Sequence, residues 1–329
     1  MRPTGSPALH AQPEAAPLGP SKPAPAGLEP RPSPPQAGRP PAARLSRFRG
    51  GKRGRDPAVH RRFAAALLAC SSWATAQDEV PFITTPDNVT VAMLELAGVA
   101  AGDRVIDLGS GDGRIVITAA RRFGARGLGV EIVPDLVAQS RMNAQKAGVA
   151  DRAEFREQDL FTTELRGASV ITMYLLPEVN LRLRPRLLAL EPGTRIVSHD
   201  WDLGDWAPDR SVSVDAPDKA IGRDKRSTLH LWRVPAQVQG LWCTVGGWLQ
   251  ITQRFQRFSA TLAAPGAVAP VMVFDGRVEG RTLLATGAAG ERRAELRLED
   301  GRLRLAQVTP PGLAFDQRWF TPATSTGCP

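Results

Sequence analysis

From residue 104 onward the chain alternates short apolar runs with amphipathic stretches. Arg104 to Leu108 reads as a buried strand, and Arg114 to Phe123 as a helix whose Ile115, Val116, Ala119 and Ala120 recur at helical spacing before Gly124 stops it. The alternation continues: a strand over Ala125 to Glu131, and a helix from Pro134 in its first turn to Lys146, ended by Gly148. Strands follow over Ala153 to Gln158 and Ser169 to Tyr174, a helix over Asn180 to Leu188, and strands over Arg195 to Ser198 and Ser227 to Val234. Upstream, Val91, Met93, Leu94 and Leu96 mark a further helix with Asp87 as its N-cap. The pattern predicts an α/β domain over residues 77–235, with helices on both faces of one sheet.

At Gln237 the period changes to two. Leu249 and Ile251, a slip at Phe255, then Phe258, Ala260 and Leu262 predict strands, with more over Val271 to Phe274, Arg281 to Ala285, Ala294 to Leu298 and Leu303 to Val308. Gly246-Gly247, Asp275-Gly276 and Asp300-Gly301 read as hairpin punctuation. Residues 236–329 are therefore expected to form a small β-meander or barrel, suited to an apolar ligand or to none, and serving as a structural or interaction appendage. They contain no metal-ligand cluster, nucleophile elbow or phosphate loop.

The N-terminus changes how charge is read. Residues 1–58 hold 14 of the 29 prolines with no apolar periodicity, and are expected to be disordered. His60-Arg61-Arg62, the apolar run Phe63 to Trp73 and Ala74-Thr75-Ala76 together match a secretory signal peptide over residues 59–76; an alternative start at Val59 would leave residues 1–58 untranslated. The apolar run is too short to span a bilayer, which needs about 20 residues. Leu67 to Cys70 is a poorer match to a lipoprotein box. Residues 1–76 carry 12 Lys/Arg against 3 Asp/Glu, so the remainder holds 30 of each and gives no case for nucleic acid. Export to the periplasm is expected if the signal is real, and a cytoplasmic location otherwise. Cleavage leaves Cys243 and Cys328, which are expected to bond.

The chemistry concentrates in Val105-Ile-Asp-Leu-Gly-Ser-Gly-Asp-Gly113. Asp107 falls at the carboxyl end of a strand, where ligands of open α/β sheets lie, and Gly109, Ser110 and Gly111 make a turn that brings bare backbone to a ligand. Amides at the start of the following helix could hold a carboxylate. The third glycine falls one residue early for a dinucleotide fingerprint, which disfavours NAD. S-adenosylmethionine (SAM) carries an amino acid and no pyrophosphate, and suits an aspartate beside a glycine turn. Glu131 ends the next strand, where it can accept both ribose hydroxyls, and Asp159-Leu160 ends the third, placed for the adenine amine and ring edge. For Asp159 a capping or turn role is as good a reading.

D-L-G-S-G-D-G, G-V-E-I, Asp159-Leu160 and Tyr174-Leu-Leu-Pro-Glu-Val-Asn180 together resemble a class I SAM-dependent methyltransferase with its Rossmann-like sheet. With Pro81-Phe82 and Thr85-Pro86 upstream, the chain is similar to the group that includes lysine methyltransferases of the ATP synthase c subunit and the adenine nucleotide translocase. The resemblance covers Val80 to Ala236. It implies that Tyr174 faces the methyl group and accepts a hydrogen bond from a lysine amine, and that Phe82 and Thr85 fold over the cofactor, for which a plain helix entry is as good a reading. His199 and Asp200 end the fifth strand near the loop of the fourth, where either could relay a proton or hold the substrate ammonium. A tyrosine with a satisfied hydroxyl in the core, and a structural His199 capped by Asp200, are the competing readings. The acceptor implied is a protein lysine or a small molecule. Export and SAM use are in tension, because SAM is a cytosolic metabolite; the contrasting reading is a non-catalytic exported binding protein with a vestigial pocket.

Overall fold

The computed structural model describes residues 83–329 except 266–268, 288–289, 291, 312–314, 316–317, 325–327 and 329. The segment expected to be disordered, the signal peptide and Phe82 lie outside the described residues.

Seven strands form the first sheet: β1 (Arg104–Leu108), β2 (Arg126–Glu131), β3 (Ala153–Glu157), β4 (Val170–Met173), β5 (Arg195–His199), β6 (Arg210–Asp215) and β7 (Arg226–Arg233). Their order is β3-β2-β1-β4-β5-β7-β6. The first five are parallel, and β7 runs antiparallel to both β5 and β6. The order runs outward in both directions from the β1/β4 pair, so a crevice opens there beyond the strands' carboxyl ends.

Helices α1 (Asp87–Ala97) and α2 (Arg114–Phe123) bury Met93, Leu94, Ile115 and Ala119 with Val105, Val170 and Val197 on one face of the sheet. Helix α3 (Pro134–Lys146) joins α2 and β3 through Val137, Ala144, Val116 and Phe155. On the other face, Leu183 and Leu187 of α4 (Pro177–Leu188) cover Ile106, Leu108, Ile171 and Met173. Each side chain of that size contributes about 1.5–3 kcal/mol when fully buried. Three details differ from the sequence reading. Asp87 is the first helical residue, and the N-cap is Pro86, which lends no side-chain bond. Helix α4 starts at Pro177, whose missing N–H costs nothing at that position. β6 was not anticipated, because its Arg-Ser-Val-Ser-Val-Asp pattern buries little and takes its place by pairing with β7.

The second body is a closed eight-stranded antiparallel barrel: β8 (Gly240–Thr244), β9 (Gly247–Arg254), β10 (Arg257–Ala263), β11 (Met272–Glu279), β12 (Thr282–Gly287), β13 (Arg293–Glu299), β14 (Arg302–Thr309) and β15 (Trp319–Pro322). Leu249, Ile251, Phe258, Phe274, Leu296, Leu305 and Phe320 pack into its centre, so the interior is a side-chain core. The slip at Phe255 is a two-residue turn joining β9 to β10, with Phe255 at φ 53. Asp275-Gly276 is not a hairpin turn: both residues lie inside β11. A Cβ on Gly276 would collide with the Leu284 carbonyl oxygen and stand 2.7 Å from the Phe258 ring, so the glycine marks where that ring crosses the strand.

The barrel meets the α/β body through the β9–β10 turn. Phe255 stacks on the buried Trp206, with centroids 6.1 Å apart, and Gln256 Nε2 donates to the Ala207 carbonyl at 2.6 Å. Arg277 pairs with Asp209 at 2.6 Å, and Arg281 with Glu191 at 3.2 Å.

Cys243 and Cys328 form a disulfide across a separation of 85 residues, tying the end of the chain to β8 beside the short closing strand β15. Cys328→Ser is expected to lower barrel stability by about 2–4 kcal/mol in urea unfolding followed by tryptophan fluorescence. An unchanged midpoint would show that the strand pairing alone holds the closure.

Candidate active site

Asp107, Gly109, Glu131 and Tyr174 converge at the carboxyl ends of β1, β2 and β4. Asp107 is 2% exposed and accepts one side-chain hydrogen bond, from the Thr172 hydroxyl at 2.7 Å on the neighbouring strand. Burial pushes its carboxyl up to about 7, opposed by the Thr172 bond and reinforced by the charges of Glu131 and Asp112. An anion held at such cost is a site for a cation.

The turn after β1 is shaped from within. The Gly109 and Ser110 amides both donate to the Val130 carbonyl at 2.9 Å, the Gly113 amide to the Ser110 carbonyl, and the Gly111 amide to Glu131 Oε2 at 3.0 Å. The turn's own amides are thus committed within it, and of the amides at the start of α2 that of Arg114 donates to Asp112 Oδ1 at 3.2 Å. What the turn supplies is space. Gly109 has φ 73, and a Cβ there would approach Leu175 Cδ2 to 2.9 Å, closing the gap between this turn and the loop after β4. Ser110 is buried against Gly129, and its hydroxyl has no hydrogen-bond partner among the described residues.

Glu131 is clamped by three amides: Gly111 on Oε2, and Ile132 and Val133 on Oε1 at 2.8 and 3.1 Å. Of the roughly four lone-pair sites of a carboxylate, three are filled, which leaves room for a donor such as a ribose hydroxyl. Asp159 is exposed, and its Oδ1 accepts the Phe161 amide at 2.7 Å in a turn, which is the capping role. Leu160 is half-buried against the apolar face under α4. This donor set fits SAM: Asp107 for the ammonium, Glu131 for the ribose, and Asp159 with Leu160 for the base.

The acceptor side is a polar knot at the ends of β4 and β5. The Tyr174 ring stacks on His199 at 3.9 Å, and its hydroxyl donates to Asp200 Oδ2 over a long 3.4 Å. Burial and the Asp200 charge push the phenol up to about 12, so it stays protonated. His199 is fully buried, with the Thr85 hydroxyl 3.2 Å from Nδ1 and the Ser227 hydroxyl 2.7 Å from Nε2. Burial takes its pKa down to about 4, so the ring is neutral, and both nitrogens are engaged within the protein. Its geometry is that of a platform beneath Tyr174. Asp200, at φ 63, is fixed by the Thr228 amide on Oδ1 at 3.0 Å and paired on Oδ2 with Lys219 Nζ at 2.8 Å.

Several members of the site carried no assigned role in the sequence reading. Thr172 was legible as the one polar residue in Val-Ile-Thr-Met. Arg114 ties the segment before α1 to the glycine turn, donating to the Thr85 carbonyl at 2.8 Å and bridging to Asp112 at 2.6 Å. Asn180, buried in α4, donates to the carbonyls of Trp201 and Asp202 at 3.3 Å and so anchors the loop after β5. Lys219 comes from the β6–β7 loop, and nothing in the sequence marks it.

Known proteins resemble this one over the same region. A family model described as the ANTKMT methyltransferase domain matches residues 107–210. A protein-lysine N-methyltransferase of Saccharolobus islandicus (strain REY15A) is 42% identical over 138 residues, 41% of this chain and 86% of the relative. The lysine N-methyltransferase of the ATP synthase c subunit from Homo sapiens is 36% identical over 168 residues, 48% of this chain and 71% of the relative. A solved structure of an RNA methyltransferase from Salinibacter ruber, in complex with S-adenosyl-L-homocysteine, is 52% identical over 47% of this chain and 96% of its own, with a TM-score of 0.44.

A raised carboxyl pKa favours the protonated folded state. The stability contribution of Asp107 is therefore present below about 4 and lost as pH rises through about 7. Asp107→Asn keeps the Thr172 bond without the charge, so the free protein is expected to melt higher than wild type at pH 8 while SAM affinity falls at least about 100-fold. Calorimetry and thermal melts at that pH check both; unchanged SAM affinity would remove Asp107 from the ammonium site.

Proposed function

The chain belongs to the ANTKMT methyltransferase family, and from that membership we propose that it moves the methyl group of SAM to the side-chain amine of a protein lysine. It is a SAM-dependent methyltransferase. SAM supplies an activated methyl group on sulfur, and the protein's work is alignment, exclusion of water and care of a proton.

One observation carries the lysine reading. Tyr174 donates its proton to Asp200, which leaves the lone pairs of the phenol oxygen as acceptors. A hydroxyl in that state accepts a hydrogen bond from an amine N–H and so holds the nitrogen lone pair toward the methyl group. His199, neutral and buried, sets the plane of the ring and takes no proton from the acceptor. Asp107, Glu131, Asp159 and Leu160 hold SAM, with Gly109, Ser110 and Gly111 forming the wall between them. The names of the relatives favour lysine over a small-molecule acceptor. The intact carboxylate constellation speaks against a vestigial pocket.

Incubation with methyl-tritiated SAM and fractionated cell protein is expected to label a discrete protein band, with the label recovered as methyl-lysine on acid hydrolysis. Label confined to RNA or to small molecules would refute the lysine assignment. Tyr174→Phe is expected to lower the single-turnover rate about 100-fold with SAM affinity changed less than about twofold. A wild-type rate would exclude Tyr174 from the acceptor site.

We further propose that the protein is exported, with cleavage after Ala76. The Cys243–Cys328 disulfide supports an oxidising compartment, and export requires that SAM be delivered across the membrane. N-terminal sequencing of protein from a periplasmic fraction is expected to begin at Gln77; uncleaved protein confined to the cytosol would overturn the proposal.

A further inference from the structure

The Asp200 carboxylate is already occupied. Lys219 Nζ sits 2.8 Å from Oδ2, the same oxygen that receives the Tyr174 hydroxyl, and the two side chains of the pair are 10% and 18% exposed. The ammonium also donates to the Arg226 carbonyl at 2.5 Å, and the loop is braced by Lys225 Nζ on the Lys219 carbonyl at 2.6 Å. Lysine is scarce in this chain: five of its 42 basic residues are lysine, and two of the five lie in this loop. At Asp200 the chain uses a compact point charge and not the planar fork of arginine that it uses nearly everywhere else.

We infer that Lys219 is the resident counter-ion of the acceptor site, a positioning residue that neutralises Asp200 so that the incoming amine binds uncharged. The inference rests on the acceptor reading of Tyr174. An unpaired carboxylate about one hydrogen bond beyond Tyr174 would draw in the acceptor as ammonium and raise its pKa, since an opposite charge within about 4–6 Å favours the charged form by one to three pH units. Ammonium has no lone pair with which to attack a methyl group. With Lys219 in place, Asp200 still accepts the Tyr174 proton and still fixes the ring, but the pair offers a neutral face. The other charged and titratable groups around the pair do not replace it. His199 is held neutral, no ion pair joins Asp224 to Lys219 among the described residues, and Lys225 addresses the Lys219 backbone. Asp200 is therefore not the seat of a substrate ammonium, which was one of the two roles expected for it.

Tyr174 is the only tyrosine in the chain, so a protein labelled with [ζ-13C]tyrosine reports this site through one NMR resonance. The probe is n-butylamine, a lysine side chain without its backbone, titrated into the full-length protein saturated with S-adenosylhomocysteine. In wild type the apparent affinity is expected to rise about tenfold per pH unit between pH 7.5 and 9.5, following the free-base fraction of an amine that titrates near 10.4. In Lys219→Met the affinity is expected to change less than about twofold over that range, and at pH 7.5 to exceed wild type by about tenfold, because the freed carboxylate captures the ammonium. Lys219→Gln is a second neutral variant should the first not fold, judged by retained S-adenosylhomocysteine binding. An equal pH slope in wild type and variant overturns the counter-ion role while leaving the acceptor site standing. A Tyr174 resonance that ignores butylamine in every protein overturns the acceptor site and this inference with it.

Discussion

A buried carboxylate with too few partners organises this protein. Asp107 lies at the centre of the first sheet, next to the point where strand order reverses, and has the Thr172 hydroxyl as its one side-chain partner among the described residues. The fold pays for this charge with stability, and a cation arriving from the crevice offsets the cost. Glu131 and Asp112 deepen the effect, because each adds negative charge that further raises the Asp107 carboxyl. The glycine turn follows from the same need: it must pass close to the ligand, and a side chain at Gly109 would fill the space against Leu175. The desolvation cost on the cofactor side is thus in place before any ligand binds.

The acceptor side is built on the opposite plan. Its polar groups are partnered within the protein: Tyr174 on Asp200, Asp200 on Lys219 and the Thr228 amide, His199 between the hydroxyls of Thr85 and Ser227. A frustrated cofactor pocket beside a satisfied acceptor pocket separates the two tasks. Affinity for the cationic donor comes from unmet charge, and orientation of a neutral acceptor comes from a network whose charged groups are already paired.

The division between what was legible and what was not follows sequence distance. Asp107, the glycine turn and Glu131 were readable because each sits at a strand end marked by apolar periodicity, and the connection between them is one helix long. The antiparallel barrel was readable from its period of two, down to the turn at Asp300-Gly301. Asp275-Gly276 misled because a glycine that admits a ring from a neighbouring strand has the same spelling as one that makes a turn. β6 and Lys219 were missed because each is fixed by partners distant in sequence: β6 has only Val212 and Val214 alternating in a polar run and is held by pairing with β7, and Lys219 is held by Asp200. The committed amides of the glycine turn were likewise hidden, since their acceptors Val130 and Glu131 arrive from the next strand. Periodicity reports which face of an element is buried; it does not report which polar groups meet there.

The central claim is that SAM binds by completing the ionisation of Asp107. Isothermal titration calorimetry of wild-type protein with SAM at pH 6, repeated in buffers of different ionisation enthalpy, counts the protons exchanged. Asp107 is then mostly protonated and the SAM amine already charged, so the account predicts release of about one proton per SAM bound. Binding with no proton released at that pH would contradict it.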